Sequence, residues 1–191
     1  MPQGPAHMRS HIATAAYNLA CDQGLNALNI RTLAKDCGVS VGTIYNYFPD
    51  KAALVTEVIM TFWTTIAFSE ETRTCLQYSE GENLIAFCNR LYNTMDQALD
   101  QFRTIWLGDV SSLDARTRQK GREAEQVCFV HIYQSLEKVI LADKGIDQKA
   151  LVAIGAHNLA HLLWDTFYQS LLNKDQSYRT LLALIEHALY R

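Results

Sequence analysis

Apolar positions recur along this 191-residue chain at helical spacing, and nowhere with the alternation of strands. Ile12, Ala15, Ala16, Leu19 and Ala20 form one stripe, which predicts a helix from Arg9 to Gln23 that Gly24 stops. A second helix is expected from Ile30 to Cys37, capped by Asn29, with Leu33, Ala34 and Cys37 inward. Gly38, Val39 and Ser40 turn the chain, and Ser40 caps a third helix from Val41 to Phe48. After Pro49, Asp50 caps a fourth helix from Lys51 to Cys75, striped by Leu54, Val55, Val58, Ile59, Phe62, Trp63 and Ile66. Beyond a loop with Gly81, a fifth helix follows Leu84, Phe87, Cys88, Leu91, Met95, Ala98, Leu99 and Phe102; Ile105, Trp106 and Leu107 extend it or begin a short sixth. Asp109 to Leu113 reads as a loop. Asp114 caps a long seventh helix ending at Gly145, an eighth covers Gln148 to Asn173 and a ninth Asp175 to Arg191. The expected fold is all-α, with about nine helices: an N-terminal three-helix helix-turn-helix unit over residues 9–53 and a C-terminal helical domain over 54–191.

Composition agrees with this pattern. Three Pro and nine Gly in the whole chain leave the helices few breakers. Residues 1–8 hold two of the prolines and no periodicity, and read as a disordered arm or a cloning remnant. No apolar run approaches the roughly 20 residues of a bilayer span, and the N-terminus lacks a secretory apolar segment. The expected location is the cytoplasm, without a membrane partner. Five cysteines (Cys21, Cys37, Cys75, Cys88, Cys128) have no CxxC spacing and read as small buried hydrophobes rather than a disulfide framework or a zinc site. The net charge is −3, and the segment from Arg9 to Lys51 is only marginally basic, with four basic residues against three acidic ones. Charge alone does not point to nucleic acid; the arrangement of residues does.

In the third helix Ile44 and Phe48 face inward with Val39 of the turn, which leaves Thr43, Tyr45, Asn46 and Tyr47 outside. A short helix in a small domain has little structural use for so many hydrogen-bonding groups on one face. A groove of DNA has one. The run Arg31-Thr32-Leu33-Ala34, then Gly38-Val39-Ser40, Gly42-Thr43-Ile44-Tyr45, Tyr47-Phe48, Lys51 and Leu54 resembles the signature of TetR/AcrR-type transcriptional regulators, without a gap over about 25 residues.

The resemblance implies a homodimer whose two third helices enter successive major grooves of a palindromic operator in double-stranded DNA. On the matching positions, Tyr45, Tyr47 and Thr43 suit phosphates or thymine methyls, and Asn46 suits the edge of an adenine. Gly42 allows close backbone approach, Lys51 suits a phosphate, and Arg31 suits a guanine or the backbone. Ser40 and Val41 complete the set.

The resemblance also implies a small-molecule effector held among the middle helices, apolar or planar and cationic. The candidate lining is Trp63, Tyr92, Met95, Phe102, Trp106, Phe129, Tyr133 and Trp164, although each aromatic at helical spacing also reads as core. Asp165 is a candidate partner for a cationic effector or a dimer contact. The two C-terminal helices are expected to pair with their symmetry mates as a four-helix bundle through Leu159, Leu162, Leu163, Leu181, Leu182, Ile185 and Leu189. His131, His157 and His161 lack an HExxH pattern, and no metal or cofactor is expected.

No set of nucleophile, base and acid is present, and no glycine-rich phosphate loop follows a strand, so the chain is not read as an enzyme. The competing readings are a helical small-molecule binding protein or enzyme with an incidental helix-turn-helix hairpin, and a regulator acting without an inducer.

Overall fold

A computed structural model describes residues 5–79, 81–100 and 102–190. It is all-α, and the one isolated β-bridge among the described residues joins Ile146 to Tyr190. In chain order the helices are α1 (Pro5–Gln23), α2 (Ile30–Asp36), α3 (Val41–Tyr47), α4 (Lys51–Ala67), α5 (Glu70–Cys75), α6 (Leu84–Ala98), α7 (Leu107–Ser112), α8 (Ala115–Ala142), α9 (Gln148–Ile154), α10 (Ala156–Asn173) and α11 (Ser177–Leu189). A 3₁₀ turn spans Leu25–Ala27, and a π-helical turn spans Phe102–Trp106.

The chain divides into two compact units. One comprises Met1–Thr65 with Gln101–Val127, and the other Ile66–Asp100 with Cys128–Arg191. The first is thus larger than the expected 9–53 segment. It keeps most of α4 and takes in the π turn, α7 and the first half of α8.

In the first unit α1 buries Ile12, Ala13, Ala16 and Ala20; Ala15 and Leu19 of the expected stripe are half-buried. The helix is already formed at Pro5, four residues before the expected start. The remainder of the expected arm, residues 1–4, lies outside the described residues, as does Arg191. Leu33 and Ala34 of α2, Ile44 of α3 with Phe48 at its C-cap, and Leu54, Val55, Val58 and Ile59 of α4 close this core, while Val39 is half-buried. Arg9 joins three of these helices. Its guanidinium donates to both carboxylate oxygens of Glu57 on α4, at 2.8 and 2.6 Å, and lies 5.1 Å from the centre of the Phe48 ring.

In the second unit the core is built from Leu84, Phe87, Cys88, Leu91 and Met95 of α6, Leu136, Val139 and Ile140 of α8, the inner stripes of α10 and α11, and Leu151. The start of α6 is held from a distance: Asp143 accepts from the Leu84 N–H at 2.7 Å, and the Tyr190 hydroxyl donates to the same carboxylate. Burial, and then the Asp143 carboxylate, raise the pKa of that hydroxyl.

Three expected elements are corrected. The fourth helix does not run to Cys75 but stops at Ala67, where Ser69 caps α5 by accepting from the Thr72 N–H at 3.1 Å. A serine side chain that satisfies a free helix N–H favours a restart over continuation. The expected eighth helix is two, since Gly155 at φ +84 cannot remain in right-handed helix and separates α9 from α10. The expected loop at Asp109–Leu113 is mostly α7, which follows directly on the π turn. Of the cysteines, Cys75 and Cys88 are buried and Cys21 and Cys37 half-buried; the Cys128 side chain lies outside the described residues.

Candidate nucleic-acid interface

The turn before α3 is built locally. Gly38 adopts φ +66, a conformation most residues reach only at a cost, and it lets the Val39 N–H return to the Ala34 carbonyl at 2.9 Å. Ahead of it, Asn29 caps α2 by accepting from the Arg31 and Thr32 N–H groups. Ser40 caps α3 through the Thr43 N–H at 3.0 Å, and the two hydroxyls lie 2.9 Å apart. That mutual hydrogen bond uses one of their two protons and leaves the other to donate outward.

With Ile44 and Phe48 buried, the outer face of α3 is fixed by the helical period. Tyr45 is 48% and Val41 37% exposed; Asn46 and Gly42 are exposed, and Thr43 and Tyr47 are half-buried. Gly42 has helical backbone, and a methyl group there would touch only the Ser40 hydroxyl, at an ordinary 3.6 Å. Among the described residues nothing requires glycine at that position. Arg31 and Ser40 are exposed beside this face. Lys51, also exposed, donates from Nζ to the Asn26 carbonyl at 3.3 Å, which leaves two of its three ammonium protons. All nine predicted contact residues lie in the first unit, eight of them over residues 40–51 and the ninth, Arg31, at the head of α2.

The predicted effector residues do not form one group. Trp63, Phe102 and Trp106 belong to the first unit, where they pack with Phe62 in a buried aromatic cluster. The Trp63 indole donates to Glu125 at 3.2 Å and the Trp106 indole to the Ala20 carbonyl at 2.8 Å. In the second unit Phe129 meets Trp164 and Tyr168 edge-on. Tyr92 stacks on Tyr178, with ring centres 3.5 Å apart, and Met95 is buried. Tyr133 stacks on His161 and donates its hydroxyl to Asp165 at 2.9 Å. Burial, and then this carboxylate, raise the Tyr133 pKa. His157 sits 4.5 Å ring to ring from His161, with Nδ1 3.7 Å from Glu137, whereas His131 meets Phe68. Two surface grooves of this unit, one lined by Glu70, Cys75 and Arg90 and the other by Tyr78, Asp143 and Tyr190, include none of the predicted effector residues.

The predicted dimer set also divides. Leu159, Leu163, Leu182, Ile185 and Leu189 are buried within the chain itself, because the apolar stripe that marks these helices is the one facing their own core. Leu181 is half-buried, and Leu162 is 52% exposed. Leu184, at 62% exposure, joins it as an outward leucine that the stripe did not single out. The sequence reading also missed Asn26 and Asp109, which meet across 83 positions, a spacing that leaves no periodic signal.

Residues 12–58, which contain α2, α3 and the turn between them, match the family model described as bacterial regulatory proteins, tetR family. The HTH-type transcriptional repressor KstR2 of Mycolicibacterium smegmatis is 33% identical over 61 residues, 32% of this chain and 30% of KstR2; the chain thus matches under a third of that curated relative's length. Over nearly the whole chain the fold is similar to that of a transcriptional regulator from Rhodococcus sp. Rha1, with a TM-score of 0.63 at 17% identity, covering 95% of this chain and 97% of the other. It is likewise similar to Salmonella enterica GusR, with a TM-score of 0.60 at 20% identity over 98% of each chain. Residues 12–58 thus match the tetR family of bacterial regulatory proteins, and the chain as a whole is similar in fold to these two solved structures.

Proposed function

We propose that the chain is a cytoplasmic DNA-binding transcriptional regulator, a repressor released from a palindromic operator when a small molecule binds. The observation that carries this reading is the outer face of α3. It presents Tyr45, Asn46, Tyr47 and a glycine over which a methyl group would meet the Ser40 hydroxyl at an ordinary contact distance, beside Arg31 and Lys51. Hydroxyls and the lysine suit phosphates, the Asn46 amide suits adenine, and the bare backbone at Gly42 suits close approach. Residues 9–53 are the DNA-binding domain in this reading, and 54–191 carry effector binding and dimerisation.

A homodimer places two copies of α3 in successive major grooves, about 34–36 Å apart. The exposed leucines Leu162 and Leu184 on α10 and α11 support a dimer face on the outer side of these helices. The effector belongs with Tyr92, Met95, Phe129, Tyr133 and Trp164 of the second unit. Trp164 Nε1 is buried without a hydrogen-bond partner among the described residues, a donor that an acceptor on an apolar, aromatic effector would satisfy. Binding there shifts α4 and favours a dimer geometry whose spacing no longer fits DNA, which requires the effector to prefer that geometry.

The test is fluorescence anisotropy with the DNA upstream of the chain's own gene. Wild-type protein binds it, and replacing Tyr47 and Lys51 together by Ala abolishes binding while helicity and oligomeric state stay unchanged. Undiminished binding by the double variant contradicts the assignment of this face.

A further inference from the structure

Lys51, the phosphate anchor of the proposed interface, is held by a small network that reaches across the first unit. Its Nζ donates to the Asn26 carbonyl in the 3₁₀ turn that follows α1. Asn26 is in turn fixed by Asp109 of α7. One carboxylate oxygen accepts from the Asn26 N–H at 3.1 Å and the other from the Asn26 side-chain amide at 2.5 Å. Ser112, one turn further along α7, donates to the Asn26 side-chain carbonyl at 3.4 Å. The carboxylate lies so close over the turn that a methyl group on Gly24 would come within 2.5 Å of it. Both carboxylate oxygens are thus engaged with one residue, in a bidentate grip that fixes where the peptide and its carbonyl point.

We infer that Asp109 is a positioning residue for DNA binding: through Asn26 it sets the carbonyl that holds the Lys51 ammonium in place for a phosphate. The inference rests on the proposed reading of Lys51. Asp109 itself carries the wrong charge to meet DNA and acts only through the turn. Its place gives the device a second end. Asp109 sits in the first turn of α7, three residues after a π turn, a helical form of poor hydrogen-bond geometry that often marks functional sites. A rearrangement of 102–112 therefore alters the anchor of the DNA-binding segment without touching α3.

The salt dependence of binding separates this role from a merely structural one. A phosphate contact contributes about 0.9 to the slope of log affinity against log salt concentration, whatever the DNA sequence. The probe is a mixed-sequence DNA duplex, with affinities measured across a salt series. Lys51→Ala is expected to make the slope shallower by about one. Asp109→Asn keeps the size of the side chain but turns an amide N–H₂ toward a donor of Asn26, and is expected to give the same change. Asn26→Ala is expected to match it, and combining it with Asp109→Asn adds nothing further. Should either single variant unfold, as seen in its circular dichroism melt, the other carries the measurement. A wild-type slope for Asp109→Asn or Asn26→Ala, alongside a reduced slope for Lys51→Ala, overturns the inference and leaves the phosphate contact standing. A wild-type slope for Lys51→Ala overturns the phosphate contact itself, and the positioning role falls with it.

Discussion

Replacing Trp106 by Ala lowers the stability of the chain by about 3–5 kcal/mol, the range for deleting a large buried aromatic. Trp106 is 0% exposed. Its ring centre lies 4.9 Å from that of Phe62 and 6.0 Å from the edge-on Tyr17. Burial, and then the neighbouring Cys21, push the pKa of the Tyr17 hydroxyl up to about 12. Removing the indole opens a cavity that the rigid rings around it cannot fill. It also deletes the hydrogen bond to the Ala20 carbonyl, worth about 1 kcal/mol. That carbonyl keeps the Gly24 N–H at 2.9 Å, so no buried acceptor is stranded and the cavity dominates the loss. Trp106→Phe retains most of the packing and should lose less than half as much. Urea unfolding at 25 °C reads both variants. A change under 1 kcal/mol for Trp106→Ala would mean that the residue lines a cavity, as a pocket residue does, rather than sealing the core.

The second large effect is on function without a stability cost. Gly42→Ala is expected to leave the chain as stable as before, or more stable by up to about 1 kcal/mol, since alanine is the better helix former. The methyl group meets only the Ser40 hydroxyl at a comfortable distance, and the backbone there is helical, so no strain opposes the gain. On the proposed interface the same methyl occupies the layer between backbone and DNA. Affinity for the upstream DNA should fall about tenfold or more, which corresponds to about 1.4 kcal/mol, and Gly42→Leu should abolish binding. Stability and affinity thus move in opposite directions, and global damage cannot produce that result. Unchanged affinity for both variants would place Gly42 outside the interface.

What could be read in advance follows from the range of the interaction involved. The helix-turn-helix hairpin was legible because its determinants are local: Asn29 and Ser40 cap within three residues, and Gly38 turns the chain where it stands. The outer face of α3 followed from period alone once Ile44 and Phe48 were placed inside. The break at Gly155 was visible as a glycine but was outweighed by the apolar stripe running past it. Ser69 went unread because a serine caps or tolerates a helix according to what surrounds it. Stripes report that a face is apolar and not what covers it, so Leu159, Leu163, Leu182, Ile185 and Leu189 were assigned to a partner when their own chain covers them. The same ambiguity put Trp63, Phe102 and Trp106 in one set with residues of the other unit. The Asp109–Asn26 pairing has no local trace, because neither residue departs from an ordinary loop or helix pattern.

The proposed role of α3 is tested most directly by methylation protection of guanine N7, an atom of the major-groove floor. Bound to the DNA upstream of its own gene, the wild-type chain should protect guanines in two half-sites whose centres lie about one helical turn apart. The variant lacking Tyr47 and Lys51 should protect none. Protection at a single site, or none by wild-type protein at concentrations that saturate binding, would contradict a dimer reading successive major grooves with its third helices.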